Sequence, residues 1–270
     1  MPAIMQDGTK VWQRRDRRAS LTVYFAYLIA AVIFLIAFRY ISGQTTWLFV
    51  WDAPEQAADL ISRMFPPRWS YAERLWRPLW DTINIATLGT VIAMVISIPV
   101  AFMAARNTTP HPVARQIAMI IIVFTRSVNS LIWALLLVSI IGPGVLAGVI
   151  AIGIRAIGFC TKLLYEAIEE VSPRPIEALT SAGASGAQVI AYGITPQILP
   201  AIAGIILYRW DINIRSSTVV GLVGAGGIGI QLNASINALQ WSQVTVIFVM
   251  IVALVLAAEW VSAKVRGAIQ

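Results

Sequence analysis

The stretch "SVNSLIWALLLVSIIGPGVLAGVIAIGI", residues 127–154, contains no charged side chain and is interrupted by the turn sequence Gly-Pro-Gly. A helix that crosses a bilayer needs about 20 consecutive apolar residues. The stretch is longer than one crossing, and glycine and proline end one helix and let another begin. It therefore predicts two membrane-spanning helices joined by a tight turn at residues 142–144.

The rest of the chain repeats this uncharged pattern. Hydrophobic residues make up 58% of the 270 positions and charged residues only 12%, about half the charged fraction of a soluble domain. Three further uncharged runs cover residues 21–38, 82–105 and 216–258, and each can hold at least one crossing. We predict an all-α integral membrane protein with six transmembrane helices, at approximately 21–41, 80–105, 114–141, 144–166, 197–221 and 242–263.

The chain before residue 80 is predicted to hold one crossing and two flanking segments. Residues 1–20 are assigned to a cytoplasmic segment, and residues 21–79 to the first transmembrane helix and a periplasmic amphipathic segment. A cleaved signal peptide is the alternative for the first run, but the apolar core is too long and no small-residue cleavage pattern follows. In the amphipathic segment, apolar residues recur with helical spacing, at positions 57, 60, 61, 64 and 65.

Basic residues near the ends of the predicted crossings indicate the orientation of the chain. Lys and Arg are enriched on the cytoplasmic side of membrane proteins. Five of them lie within residues 10–18, and with that end inside, Arg106, Arg115, Lys264 and Arg266 also fall inside. We expect both termini in the cytoplasm, and we attribute the net charge of +7 to topology rather than to nucleic-acid binding.

The residue types that catalysis and metal binding require are scarce. The sequence has one cysteine, Cys160, and one histidine, His111, which excludes an internal disulfide and leaves no typical cluster of metal ligands. No nucleophile with an adjacent base is indicated. We predict no catalytic residue, no metal and no cofactor bound by this chain. A membrane-embedded enzyme and a passive channel are the alternatives from other classes.

A small polar stretch lies between the fourth and fifth crossings. It reads "SPRPIEALTSAGASGAQVIAYGITPQILP", residues 172–200. Proline is favoured in the first turn of a helix, and Glu177 would lie in that turn, where the helix dipole favours an anion. With four crossings before it, the stretch faces the cytoplasm, and we predict a short helix there.

This stretch resembles the EAA loop of ABC-importer permease subunits. The resemblance rests on Glu177, on Gly183 six residues later, and on Pro196 thirteen residues after the glycine, while Leu179 and Thr195 depart from the family pattern. In that family the loop forms a coupling helix that sits in a cleft of the ATP-hydrolysing subunit. The resemblance implies an ATPase-coupling role for Glu177, Ala178, Ala182, Gly183 and Pro196.

Three further stretches are similar to the permeases of phosphonate and phosphite importers. They read "LIWALLLVSIIGPGVLAGVIAIGI", "KLLYEAIEEV" and "YRWDINIRSSTVVGLVGAGGIG". The resemblance implies a type I ABC importer permease core over residues 80–265. It also implies a homodimer in the bacterial inner membrane, two ABC ATPase subunits that bind ATP and magnesium, and a periplasmic substrate-binding protein. The implied substrate is phosphonate, phosphite or hypophosphite; another small anion or an amino acid is the alternative.

Several charged residues fall inside the predicted crossings. A charge at the bilayer centre costs at least about 2.5–3.5 kcal/mol on insertion scales, so it faces a partner or a cavity. Asp211 and Arg215 are four residues apart and can pair on one helix. The remaining arginines either fix the bundle or line an anion path, and asparagines on the same helix faces could add donors. The predicted pathway residues are Arg126, Asn129, Arg155, Arg209 and Asn213.

The run "GAGGIG", residues 224–229, matches the dinucleotide-binding pattern G-x-G-x-x-G. That interpretation needs a preceding strand and an acid about 20 residues further on, whereas the run lies among uncharged residues and the next acid is Glu259. We expect irregular backbone beside the pathway instead, with close helix packing as the alternative. The glycines concerned are Gly224, Gly226, Gly227 and Gly229.

Overall fold

A computed structural model of the protein describes residues 3–6, 9–12 and 17–269, with side chains for residues 20–267. The chain divides into two compact units at residue 60. Among the described residues, five helices are long and apolar enough to cross a membrane, and a sharply bent pair of helices can supply a sixth crossing. The predicted helical membrane fold is confirmed.

The first unit holds an antiparallel hairpin and a long apolar helix. Strands β1 (Ala3–Gln6) and β2 (Thr9–Trp12) pair with Ala3 opposite Trp12. The sequence analysis did not predict this hairpin, although the Asp-Gly pair between the two strands is a favoured hairpin connection. Parts of the predicted cytoplasmic segment, residues 1, 2, 7, 8 and 13–16, lie outside the described residues. Helix α1 (Arg17–Gln44) follows.

An amphipathic helix is present where the stripe of apolar residues predicted one. Helix α2 (Trp47–Met64) crosses the boundary between the two units, and none of its residues is buried. It begins well before the stripe, so that Pro54 lies inside the helix rather than near its start.

The second unit contains the helices of the membrane core. The most central of them is α6, which packs along α3 through small residues: a Cβ added to Gly89 would lie 3.0 Å from Ile152 Cγ2. Close approach of backbones through small residues is a common way to join helices in membranes. The helices are α3 (Ala72–Ala104), α4 (Pro112–Ser127), α5 (Ser130–Ile141), α6 (Val145–Glu169), α7 (Pro173–Ser181), α8 (Gly186–Gln188), α9 (Thr195–Gly221), α10 (Ile228–Asn237) and α11 (Trp241–Ile269). A 3-10 turn, Trp69–Tyr71, precedes α3, and a π-helical turn, Val189–Ile194, precedes α9.

The predicted third crossing is not one continuous helix. The chain bends by 87° between α4 and α5, because Val128 and Asn129 both have extended backbone. The Asn129 side chain accepts a hydrogen bond from the Leu131 N–H at 3.3 Å and so caps α5. Asparagine is among the most favoured residues at this position. The prediction of a single helix over 114–141 was therefore wrong.

Helix α3 begins eight residues before the predicted start at 80. The charged residues near its beginning ended the apolar run that the prediction used. The structure extends the helix because Leu75 and Leu79 are buried against α10 and α11, in a cluster with Val246 and Ile247. Tertiary packing thus decides the helix start.

The glycine-rich turn between α9 and α10 is held in close backbone contact. Gly224, Gly226 and Gly227 have φ values of 89°, 90° and 72°, a conformation that other residues rarely adopt. A Cβ added to Gly229 would overlap the carbonyl oxygen of Thr218, and one added to Gly148 on α6 would overlap that of Ala225. These contacts pack the turn against α6 and the end of α9.

Candidate transport site

A basic pocket of about 360 Å³ opens where α5, α6 and α9 meet. Its walls carry two arginines, Arg155 and Arg215, and the polar residues at the bend between α4 and α5. Among the described residues, no carboxylate lines it. The lining residues are Asn129, Ser130, Leu131, Arg155, Ile212, Arg215, Ser216 and Val219.

The bend places the amino-terminal end of α5 at this pocket. Arg155 Nη1 lies 3.5 Å from Ser130 Oγ, and Ser130 Oγ–H donates to Asn129 Oδ1 at 3.3 Å. A helix amino terminus carries a partial positive charge. Three sources of positive potential therefore face one cavity, namely Arg155, Arg215 and the start of α5, and such an arrangement favours an anion.

Arg215 reaches the pocket although it is paired. Its Nη2 contacts Asp211 Oδ2 one turn away on α9, which confirms the pair expected from their spacing. The Asp211 side chain is 10% exposed, whereas that of Arg215 is 52% exposed. The pair is thus asymmetric, with the acid inside the bundle and the guanidinium at the cavity. The sequence analysis missed Arg215 as a pocket residue because it considered only the pairing.

Arg126 and Arg209 meet on one aromatic ring. Both guanidinium carbons lie 5.2 Å from the centre of the Phe159 ring, within the range of cation–π attraction. Gly158 makes this possible, because a Cβ there would overlap Thr125 Oγ1 and separate α4 from α6. Phe159 follows Arg155 by four residues on α6, so the stack lies one turn from the basic pocket.

Arg209 is the most buried of these arginines. It is 4% exposed, and its Nε lacks a hydrogen-bond partner within the described residues. Arg126, in contrast, is exposed. Leaving a buried charged donor without a hydrogen bond is costly, and the ring of Phe159 offsets only part of that cost.

Asn213 and the glycine run lie away from the basic pocket. Asn213 is fully buried, and its Nδ2 donates to Thr90 Oγ1 at 2.9 Å, which joins α9 to α3. Gly226, Gly227 and Gly229 are also buried. Gly224 is partly exposed and faces Val138 and Pro143. The structure brings Asn129 and Arg155 together, places Arg126 and Arg209 one turn away, and does not bring the other predicted pathway residues to the cavity.

The short helix α7 forms the second candidate surface. It begins after Ser172, as predicted, and none of its residues is buried. Glu177 lies beyond the first turn of the helix, so the prediction that it lies in that turn was wrong. Its inner side carries Ile176 and Leu179, and Leu179 Cδ1 would lie 3.1 Å from a Cβ added to Gly193. The leucine that departs from the family pattern therefore fills the space above Gly193.

The outer side of α7 carries small residues together with charged ones. Glu177 and Ala178 are exposed. Ala182 ends the helix, and Gly183 follows with a φ of 81° and no atom within 4 Å of an added Cβ. Pro196 lies in the first turn of α9. These residues share one end of the bundle, and the predicted coupling residues on α7 form an open surface there.

A polar brace fixes the direction of α7. Gln197 accepts a hydrogen bond from the Ser172 N–H at 3.0 Å and donates to the carbonyl oxygen of Gly193 at 2.6 Å. The side chain thus ties the start of α7 to the base of α9.

A helical bundle with a basic cavity in its wall and a braced, exposed helix at one end is the arrangement of an importer permease. A family model described as the inner membrane component of binding-protein-dependent transport systems matches residues 97–264. The chain belongs to this family. It is therefore an integral inner-membrane permease subunit of an ABC importer rather than an enzyme, and it works with an ATPase and a binding protein.

Relatives with assigned substrates cover most of the chain. The phosphite transport system permease protein PtxC of Stutzerimonas stutzeri is 41% identical over 209 residues, 77% of this chain and 76% of the relative. The phosphate-import permease protein PhnE of Mycolicibacterium smegmatis is 36% identical over 215 residues, 80% of this chain and 40% of the relative.

Solved structures share the fold. The inward-facing MetNI methionine ABC transporter matches with a TM-score of 0.62 and 22% identity, over 73% of this chain and 96% of that chain. An amino acid ABC transporter matches with a TM-score of 0.63 and 19% identity, over 74% of this chain and 95% of that chain.

Proposed function

We propose that this permease carries a small phosphorus oxyanion, such as phosphonate, phosphite or hypophosphite, through the basic pocket. The observation that carries the proposal is the convergence of Arg155, Arg215 and the start of α5 on one cavity. The 41% identity to a phosphite permease supports the same substrate class.

The chemistry of the pocket suits a hydrated oxyanion. Guanidinium groups donate paired N–H bonds to two oxygens of one anion. The cavity has a volume of about 360 Å³ and is open, so the anion can keep part of its hydration. The cavity is open and one of its arginines is already paired, so it binds weakly. Tight capture is left to the binding protein, and release to the cytoplasm stays fast.

Two copies of the chain are proposed to form the path. Arg209 Nε, Asp211 Oδ1 and Asn213 Oδ1 are buried on one stretch of α9 without hydrogen-bond partners among the described residues. Such groups usually find partners, and a rearrangement of α9 against a second copy would supply them. Arg126 and Arg209 then form a second basic layer that the anion meets in another state of the cycle.

Coupling to ATP hydrolysis is assigned to α7. The nucleotide and magnesium belong to the ATPase subunits, and this chain supplies the docking surface of Glu177, Ala178, Ala182 and Gly183. Closure of the ATPase pair would move α7, and the Gln197 brace would pass that movement to α9. The pocket would thereby open alternately to the two sides of the membrane.

Both termini are placed in the cytoplasm on the distribution of Lys and Arg. In a Cys160→Ala background, we expect cysteines at Gln56 and Ala187 to react with an impermeant thiol reagent from opposite sides. Both positions are exposed, so access depends on the side alone. In intact cells only Gln56→Cys should be labelled, and both should be labelled after permeabilisation. Labelling of Ala187→Cys in intact cells would contradict this orientation.

Transport by the purified complex tests the substrate class. Proteoliposomes that contain the permease with its own ATPase and binding protein should accumulate phosphite, hypophosphite, a phosphonate or phosphate in an ATP-dependent manner. Methionine at the same concentration is the matched control, because a methionine transporter shares the fold. Uptake of methionine without uptake of any phosphorus oxyanion would contradict the proposal.

A further inference from the structure

A second basic cavity, of about 480 Å³, lies at the amino-terminal end of α11, away from the transport site. Arg63 and Arg68 line it together with the polar residues at the helix start, and its lining within the described residues includes no carboxylate. The lining residues are Arg63, Arg68, Leu239, Gln240, Trp241, Ser242 and Gln243.

Hydrogen bonds through the backbone hold the arginines beside α11. The Arg68 N–H donates to the carbonyl oxygen of Ser242 at 3.2 Å. The Ser242 hydroxyl donates to the carbonyl oxygen of Arg63 at 3.3 Å, and the Thr245 hydroxyl to that of Met64 at 2.9 Å. The cavity is therefore a fixed feature, and its arginine side chains can be changed without removing these bonds.

An apolar groove of about 410 Å³ lies between α3 and α11. Two indoles form its wall, Trp76 and Trp80, which are 68% and 63% exposed. The opposite wall contains Ala253 and Ala257, whose small side chains leave space beside the indoles. The groove is lined by Trp76, Leu79, Trp80, Ile83, Met250, Ala253, Leu254 and Ala257.

The groove and the basic cavity lie along the same pair of helices. The groove is lined from α3 and α11 by positions that differ by one constant interval in sequence, such as 76 and 250, 80 and 254, and 83 and 257. Arg68 and Ser242, which are joined by a hydrogen bond, differ by the same interval in sequence. The two helices therefore run parallel, with corresponding positions at the same height along the bundle. On α11, Met250 follows Gln243 of the cavity by seven residues, which places both on one face of the helix.

The spacing between cavity and groove matches that of a phospholipid. At about 1.5 Å per residue, the groove extends roughly 12–22 Å below the level of Arg68. Each headgroup layer of a bilayer is only about 5–8 Å thick, and the hydrocarbon core about 30 Å. A phosphate held at Arg68 would therefore place an acyl chain alongside the groove.

We propose that the α3–α11 pair binds one anionic phospholipid, with its phosphate headgroup in the basic cavity and an acyl chain in the apolar groove. The charge of the cavity selects an anionic headgroup, because guanidinium groups donate charge-assisted hydrogen bonds to phosphate oxygens. The lipid would support the outer end of α3 and α11, which the proposed orientation places in the periplasmic leaflet.

Native mass spectrometry of the full chain, released from nanodiscs of equal parts phosphatidylglycerol and phosphatidylcholine, tests this site. We expect wild type to retain phosphatidylglycerol selectively. Arg68→Gln and Ala257→Phe should each reduce the retained phosphatidylglycerol at least about threefold, because one removes the charge and the other fills the groove. Arg68→Lys and Val252→Phe are matched controls, since they keep the charge and change an exposed residue outside the groove, and both should retain the lipid.

Three outcomes would overturn the lipid assignment. Unchanged retention in both Arg68→Gln and Ala257→Phe would mean that the lipid binds elsewhere. A loss in Arg68→Gln alone would mean that the cavity holds an anion without a chain in the groove, such as a free phosphate or an acidic protein surface. A loss of dimer mass in Ala257→Phe, with lipid retention unchanged, would mean that a second copy covers the groove.

Discussion

Arg155→Ala is expected to reduce uptake of the phosphorus oxyanion at least about tenfold, a loss of roughly 1.4 kcal/mol, while the complex still assembles. Arg155 faces the cavity, its Nη1 lies 3.5 Å from the Ser130 hydroxyl, and within the described residues it forms no ion pair. Its charge therefore remains available to a passing anion. Arg155→Lys should recover only part of the loss, because an ammonium group cannot donate paired bonds to two oxygens.

Lys162→Ala is the matched control for this substitution. Lys162 lies on the same helix, two turns from Arg155, and pairs with Glu166 at 3.4 Å outside the cavity. Its removal changes the net charge equally and should leave uptake near the wild-type rate. Uptake is measured in proteoliposomes with equal amounts of inserted protein. Wild-type uptake by Arg155→Ala would mean that the anion does not pass through the basic pocket.

Ala178→Trp is expected to abolish transport, to below about a hundredth of the wild-type rate, or roughly 2.7 kcal/mol. Ala178 is exposed on the outer side of α7, so an indole there would keep the ATPase from close contact without disturbing the core. Stimulation of ATP hydrolysis by the loaded binding protein should be lost with transport. Ala178 is a cleaner position than Gly183, because the φ of 81° at Gly183 adds backbone strain to any side chain.

Val113→Trp serves as the control for a bulky residue at the same end of the bundle. Val113 is 52% exposed and lies in the first turn of α4. It follows the loop in which Asn107 donates to the Ile168 carbonyl at the end of α6. Transport by this variant should persist. If Ala178→Trp coupled ATP hydrolysis to transport normally, α7 would not be the docking surface.

The sequence was sufficient to predict the features that depend on composition and local pattern. The apolar runs located the membrane helices, and Ser172 with two prolines located the start of α7. The spacing of Asp211 and Arg215 predicted their ion pair. These inferences succeed because bilayer thickness and helix periodicity constrain each segment by itself.

The features that depend on contacts between helices were not predictable in the same way. The bend between α4 and α5 is centred on an apolar residue, Val128. Only the polar residues beside it, Ser127, Asn129 and Ser130, indicated in the sequence that the helix is interrupted there. The exposure of the Arg215 side chain depends on which face of α9 the neighbouring helices cover. The early start of α3 depends on Leu75 and Leu79 packing against α11, which no local pattern records.

The tight glycine contacts also limit how the protein can evolve. Positions such as Gly148, Gly158 and Gly229 tolerate no side chain, because backbone or hydroxyl oxygens already occupy the space. The rims of the basic pocket, at Leu131, Ile212 and Val219, have no such restriction. In a laboratory selection for a new cargo, beneficial substitutions should therefore accumulate at these rims, while the glycine positions stay unchanged.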